Sequence, residues 1–488
     1  MPRNDSVIIV GAGFAGIGLA IQLQKAGQGD FVILERASSL GGTLRDNTYP
    51  GVACDVPTPL YSYSFEPNPD WSQLFAPQAE IQAYLERCVD KHGLRGKIRF
   101  GEGVVSATFD DDTGLWAVVT ATGQVLTARV LVSASGHALS QPITPDLPGR
   151  DVYGGVSMHS ARWDHTQSLT GKRIALIGTG ASAVQILPEI APIAAQVHVF
   201  QRTPGWVLPR RNAVMKPWVQ RVFRTVPGTQ RLLRSTLYWV MESIAVGHVL
   251  EPRLHALTTE QTARRHLRSQ VKDPALVRKL TPSFRLGCKR MLITSDYLPA
   301  LQRPNVELVT DGIERLTETG VVTRDGRERP VDVIIYATGY EAAEAKPPFA
   351  LRGSHGVTIE AAWKDGQEAY CGTTIAGFPN FFLMVGPNLG QGHTSMVFMM
   401  ESQYPYIIEA IRRIREKGLR SLDVRPSAQR DFNTWLQKRL ARTVWNTGGC
   451  KSWYLTKSGK NTTAWPGFTF EYWWRMRRFD ATNYREVP

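Results

Sequence analysis

At 488 residues the chain is too long for one ordinary core, and its length predicts two or three domains. A content of 43% hydrophobic and 20% charged residues describes a folded protein and excludes a disordered one. The net charge of +14 is regional: between Arg210 and Arg290 seventeen Lys/Arg stand against four acids, with no recognisable nucleic-acid-binding motif. That leaves a solvated helical face, attraction of an anionic cofactor, or a membrane surface as readings of the charge.

In chain order, the first strand-like run, residues 6–10 (SVIIV), begins so early that no cleavable leader precedes it, which predicts an intracellular, cytoplasmic protein. It runs into Gly11-x-Gly13-x-x-Gly16, a helical pattern to Ala26, and a strand at 31–34 that ends on Glu35. Gly11 allows the tight turn, Gly13 lets the backbone approach a pyrophosphate, and Gly16 lets the helix pack closely on the sheet. Glu35 is placed to accept from a ribose hydroxyl, so the unit predicts dinucleotide binding. Gly41-Gly42-Thr43 offers a second close backbone approach, suited to the diphosphate of FAD.

A second copy follows, with a strand, then Gly178-x-Gly180-x-x-Ala183, a helix, and a strand at 196–200. This strand ends on Gln201-Arg202-Thr203 instead of an acid. A guanidinium there pairs with a 2′-phosphate, so the second site predicts NADPH over NADH; the plainer reading is that Arg202 caps a loop. Two such units predict hydride transfer from nicotinamide to flavin. The strands at 129–137 and 331–340 each end in a small-Gly turn, as expected where the chain leaves one domain for the other. The predicted fold is therefore α/β with two Rossmann-type domains: an FAD domain over 1–144 and 341–488, the latter including a C-terminal segment, and an NADPH domain over 145–340. A helical insertion at about 210–285 is expected within the second. Its apolar run at 235–250 contains Glu242 and is too short to span a bilayer. The insertion aromatics Trp218, Phe223, Tyr238 and Trp239 fit either core or pocket, and Tyr472, Trp473 and Trp474 read as packing.

The five cysteines (Cys54, Cys88, Cys288, Cys371, Cys450) are odd in number and none is CxxC-spaced, which predicts reduced thiols, with neither a disulfide framework nor a zinc cluster. Residues 153–164 (YGGVSMHSARWD) show no helical or strand period, yet place His159 and Trp163 four apart with Asp164 next. Catalytic, metal and joint roles are all conceivable for this stretch, but no second ligand set lies near His159 in sequence.

The stretch Tyr153-x-Gly155-x-x-x-His159-x-x-x-Trp163-Asp164 resembles the fingerprint of the Baeyer–Villiger monooxygenases, within the class B flavin-dependent monooxygenases. The similarity extends over TYPGVACDVPTPLYSYSF (48–65), FQRTPGW (200–206), GCKRML (287–292), GFPNFFLMVGPN (377–388) and VWNTGGCKSWY (444–454). It implies an enzyme that uses FAD, NADPH and O₂ to turn a ketone into an ester or lactone through a C4a-peroxyflavin and a Criegee intermediate. On this resemblance Arg290 is the active-site arginine, Asp55 orients it, and Lys289 helps hold the 2′-phosphate. Ala15, Glu35, Thr43, Asp55, Tyr61, Val104, His137 (through its backbone) and Met396 would line FAD. Thr179, Gly180, Ser182, Ala183, Arg202, Lys289 and Arg290 would meet NADP, with Trp453 at the nicotinamide ribose, and the fingerprint would act as a joint between domains. The chain departs from the family at Leu44-Arg45-Asp46, where an aromatic is usual after Gly-Gly-Thr, and at Tyr153, where Phe is usual. The run NLGQGHTS (388–395) leans toward the broader flavin monooxygenases, which keeps sulfide or amine oxygenation open. A disulfide reductase lacks its redox cysteine pair here. A non-enzymatic flavin sensor sits poorly with two intact phosphate loops.

Overall fold

Two sheets organise the chain in the computed structural model, which describes residues 4–136, 141–251, 253–450 and 452–488. The first sheet runs Ala350–Arg352, Val104–Asp110, Leu115–Thr120, Val125–Ser133, Asn4–Val10, Phe31–Glu35, Ile98–Phe100, and Phe381–Leu383 pairs alongside Val125–Ser133. Its central strands are parallel, in the register Ile9↔Ile33 and Ile9↔Val132. Their Val/Ile runs are buried on both faces, as a sheet covered on each side requires. The helices Phe14–Lys25, Gln78–Lys91 and Met396–Glu416 cover one face, and Trp116, Phe378 and Phe381 fill the other.

The second sheet is parallel throughout: Val306–Val309, Gln196–Phe200, Arg173–Ile177, Val333–Tyr336, Val156–His159. All its strands fall between residues 156 and 336, while those of the first sheet fall outside that range. The arginine-rich stretch is helical, with Pro217–Thr225, Thr229–Ala245, Arg253–Leu257, Thr259–Gln270 and Pro274–Leu280. Where the chain passes between the sheets its two crossings are bonded to each other: Ile143 N–H donates to Gly339 O at 2.9 Å, and the Thr338 hydroxyl donates to Ile143 O.

The fold departs from the sequence reading at the cysteines and at the C-terminal tryptophans. Cys288 and Cys450, 162 positions apart, form a disulfide, while Cys54, Cys88 and Cys371 are free. Close spacing in sequence tests only local pairs; this one is made by the fold, where Arg285 N–H donates to Gly448 O at 2.9 Å. At the C-terminus Tyr472 is core, but Trp473 and Trp474 are 45% and 60% exposed, because the helix Thr469–Met476 shows only one face to the interior.

Candidate active site

The first glycine loop leaves Asn4–Val10 at Gly11, which sits at φ +108°, where a Cβ would stand 2.6 Å from the Ala134 carbonyl oxygen. Gly16 lies so close to Gly11 that a Cβ would come within 2.0 Å of its oxygen. Gly13 and Gly42 face each other, a Cβ on Gly42 lying 3.5 Å from the Gly13 Cα, so two backbones form the walls of one cradle at the start of Phe14–Lys25. Thr43 opens the short turn Thr43–Asp46 beside it, and Ala15 is buried in the first turn of the long helix. Glu35 ends its strand buried: Oε2 accepts from Ala12 N–H at 2.8 Å, and Oε1 from Ala37 N–H at 3.0 Å and Arg45 Nη1 at 2.9 Å. Arg45 also forms an ion pair with Asp46 at 2.7 Å, so the departure at Leu44-Arg45-Asp46 anchors the acid at the strand end. Val104 begins the strand Val104–Asp110 of the same sheet, Tyr61 packs edge-on against Phe14 at 5.2 Å, and Met396 opens a helix capped by Ser395. His137 lies outside the described residues.

The second loop repeats the frame. Gly178 is at φ +116°, and a Cβ there would stand 2.4 Å from the Ala337 oxygen; Gly180, before Ala181–Ile190, has open space where its Cβ would be. Ala183 is buried against the sheet, Ser182 lies beside Tyr49, and Thr179 donates to Thr203 O at 3.3 Å. At the strand end Lys289 Nζ donates to the Thr203 hydroxyl at 2.7 Å. Burial, then the charge of Arg202, holds the Lys289 amine below its usual pKa. No carboxylate pairs with Arg202 or Lys289 among the described residues, so two neighbouring cations face a site with no protein anion. That fits a phosphate.

Between the loops Arg290 forms a bidentate pair with Asp55, Nε to Oδ2 at 2.9 Å and Nη2 to Oδ1 at 2.7 Å, with the arginine side chain 44% exposed. The adjacent Asp55 holds the guanidinium well above its usual pKa. Burial pushes Tyr49, Cys54 and Tyr454 up to about 12, so the phenols and thiol around the pair stay neutral near pH 7. Asp55 belongs to the first half of the chain and Arg290 to the second. The same seam is held by Tyr49 OH donating to Gln185 Oε1 and Gln185 Nε2 donating to Ala53 O, each at 2.9 Å. Trp453 stacks on Tyr454 at 4.6 Å and is 40% exposed.

The fingerprint residues lie away from this pair. Tyr153 OH donates to Val331 O at 3.1 Å, and Gly155 is crowded enough that a Cβ would come within 2.2 Å of that hydroxyl. His159 ends its strand buried; Nδ1 accepts from Ala161 N–H at 3.0 Å, and Nε2 lies 3.4 Å from the Thr338 hydroxyl at the crossings. Burial, and then Arg162, hold its pKa below the usual value, so the ring is neutral near pH 7. Trp163 packs against the second core, and Asp164 caps its own turn by accepting from Thr166 N–H at 2.9 Å. Among the described residues no cluster of His, Cys, Asp and Glu could hold a metal ion.

A buried polar group was not foreseen. Glu242, in the helix Thr229–Ala245, accepts from Thr469 N–H at 2.5 Å and from its hydroxyl at 2.8 Å, and meets His393 Nε2 at 3.2 Å. Around His393, the buried atoms His393 Nδ1, Gln391 Oε1, Thr394 Oγ1, Trp445 Nε1 and Thr463 Oγ1 have no protein partner. Leaving such atoms unsatisfied costs about 1–3 kcal/mol each, so their concentration in and beside the loop before Met396 fits a ligand that both donates and accepts, as the flavin ring edge does. The only signal in sequence was the polar run at 388–395; that it meets a glutamate 151 positions earlier was not visible.

The model of the flavin-binding monooxygenase-like family matches residues 4–349. The chain is 44% identical over 483 residues to a Baeyer–Villiger monooxygenase of Pseudomonas aeruginosa, covering 99% of this chain and 91% of that protein. It is 46% identical over 480 residues to another from Streptomyces coelicolor, covering 98% and 92%. Among solved structures, that of OTEMO in complex with FAD and NADP matches with a TM-score of 0.88 at 27% identity, across 100% of both chains.

Proposed function

The chain belongs to the flavin-binding monooxygenase-like family, in its Baeyer–Villiger branch, and on that premise we propose that it oxidises a small-molecule ketone to an ester or lactone with NADPH and O₂. It is an FAD-containing, NADPH-dependent enzyme. Gly11, Gly13, Gly16, Gly42 and Thr43 hold the FAD diphosphate and Glu35 its ribose, while Ala15, Asp55, Tyr61, Val104 and Met396 line the rest of the site. Gly178, Thr179, Gly180, Ser182 and Ala183 hold the NADP diphosphate, Arg202, Thr203 and Lys289 the 2′-phosphate, and Trp453 the nicotinamide ribose. Bound FAD, once reduced by NADPH, supplies the activated oxygen.

The observation that carries the reading is the Arg290–Asp55 pair set between two glycine loops. When a ketone carbonyl is attacked, negative charge grows on its oxygen, and a fixed guanidinium lowers the barrier. Asp55 engages Nε and Nη2, fixing the plane of the group and leaving Nη1 to face the reacting oxygens. Domains at 1–144 with 341–488 and at 145–340 place this pair on the seam. Tyr153, Gly155, His159, Trp163 and Asp164 form a joint, since His159 reaches the bonded crossings and not the pair. The need for NADPH is the ground for a cytoplasmic location. No helix among the described residues is long and apolar enough to cross a membrane.

The run NLGQGHTS at 388–395, which resembles the broader flavin monooxygenases, carries a second reading, oxygenation of a sulfide or amine. Turnover under ¹⁸O₂ with a panel of ketones and a thioether, with mass detection, separates the two. One labelled oxygen in an ester or lactone is expected; sulfoxide formation with no ester from any ketone would overturn the ketone assignment.

A further inference from the structure

Six of the exposed large apolar side chains gather on one face formed by two helices. On the helix Thr229–Ala245, Leu232, Trp239 and Val240 are 69%, 57% and 58% exposed and lie on one side at helical spacing, with the exposed Thr236 and Ser243 between and after them. On the helix Thr469–Met476, Phe470, Trp473 and Trp474 share a face at i, i+3, i+4. The rings of Trp239 and Phe470 meet at 6.0 Å, joining the two outer faces into one surface. Its underside is fixed: Tyr472, Met476, Glu242 and Ala245 are buried.

The surface is cationic as well as apolar. Arg477 lies over the Trp474 ring at 3.3 Å, and Arg475 over Trp435 at 4.9 Å. Arg478 is exposed and has no carboxylate partner among the described residues, whereas the neighbouring Glu471 is occupied by Arg439 at 2.9 Å. Exposed indole rings flanked by arginines suit the headgroup layer of a bilayer, where the ring enters the acyl boundary and the guanidinium stays with phosphate. A second copy of this chain would bring the same +14 charge and the same cations to the contact, whereas an anionic lipid surface is complementary to both.

We propose that this face docks peripherally on membranes rich in anionic phospholipid. The inner side of the same helix carries Tyr238, stacked on Phe398 at 4.8 Å, and Glu242, bound to His393. Docking therefore turns the 388–398 side of the active site toward the lipid.

The test is co-sedimentation of the holoenzyme with vesicles of phosphatidylcholine alone and of phosphatidylcholine mixed with phosphatidylglycerol, read together with tryptophan emission. Binding to the mixed vesicles with a blue-shifted emission is expected, at least about tenfold weaker on phosphatidylcholine alone. Trp239→Ser/Trp474→Ser should weaken binding about tenfold or more while keeping FAD content and Tm, and Arg477→Glu/Arg478→Glu should do the same. Arg303→Glu/Arg315→Glu, which removes as much positive charge from another surface, should leave it unchanged. No binding to the mixed vesicles, an equal loss in the Arg303/Arg315 variant, or a tryptophan-dependent dimer without vesicle binding would overturn the proposal.

Discussion

At the end of the strand Phe31–Glu35 the acid is buried and holds three protein donors, whereas at the end of Gln196–Phe200 the cation Arg202 is exposed and meets no carboxylate among the described residues. The backbones ahead of them are nearly superimposable in kind: a glycine at strongly positive φ, a carbonyl beneath it, and a helix opening after the third position. What differs is how each strand end is completed. At the first, Arg45 and two backbone amides immobilise Glu35, and Gly42 closes on Gly13. At the second, Lys289 rests on a hydroxyl beside another cation, and space stands open at Gly180. The same frame thus makes a closed berth at the first loop and an open one at the second.

Arg290 lies between the two berths, so its removal should damage the chemistry and neither cradle. Arg290→Ala is expected to lower ester formation by roughly 10²–10³-fold or more with FAD retained, as loss of a transition-state donor does. Product assay and flavin absorbance check it; full turnover would remove the role. At the open berth, Arg202→Ala should lower the NADPH/NADH ratio of kcat/KM by about 10–100-fold, the worth of one hydrogen bond to a charged group. An unchanged ratio would mean that the 2′-phosphate is held elsewhere. At the closed berth, Arg45→Ala should weaken FAD binding by ~10-fold or less while leaving the nucleotide ratio alone. A change in that ratio would show that the two strand ends are coupled.

Much of this was legible because the determinants are local. Gly11, Gly13, Gly16 and Glu35 lie within one strand–turn–helix–strand unit, and each has a role fixed by backbone geometry and not by distant neighbours. The second unit, with Arg202, was readable for the same reason. Contacts made across the fold were not. The Cys288–Cys450 bridge spans 162 positions and Glu242–His393 spans 151, and neither spacing carries a signal once a chain has many ways to close on itself. The residues of the Asp55–Arg290 pair could be named from the resemblance alone; the bidentate geometry came from the structure. Trp473 and Trp474 read as packing because composition cannot say which side of a short helix faces outward.

The smallest effect expected is one of pH, and it concerns the joint and not either berth. His159 is buried, and its folded pKa lies below the usual 6.5, so folding favours the neutral ring. Its contribution to stability is then fully present above about pH 6.5 and is lost as the pH falls through the folded value. The geometry agrees: Nδ1 accepts from Ala161 N–H, which leaves the single proton on Nε2, facing the Thr338 hydroxyl that itself donates to Ile143 O. A second proton on Nδ1 would break the first of these bonds and put a charge beside Arg162. His159→Gln can still accept and donate at these positions but does not titrate. The difference in Tm between the parent and His159→Gln should therefore grow more unfavourable to the parent as the pH drops below about 6.5, other titrating groups cancelling in the subtraction. A difference flat with pH would mean that the ring is not held neutral at the crossings, and would weaken the case for a joint there.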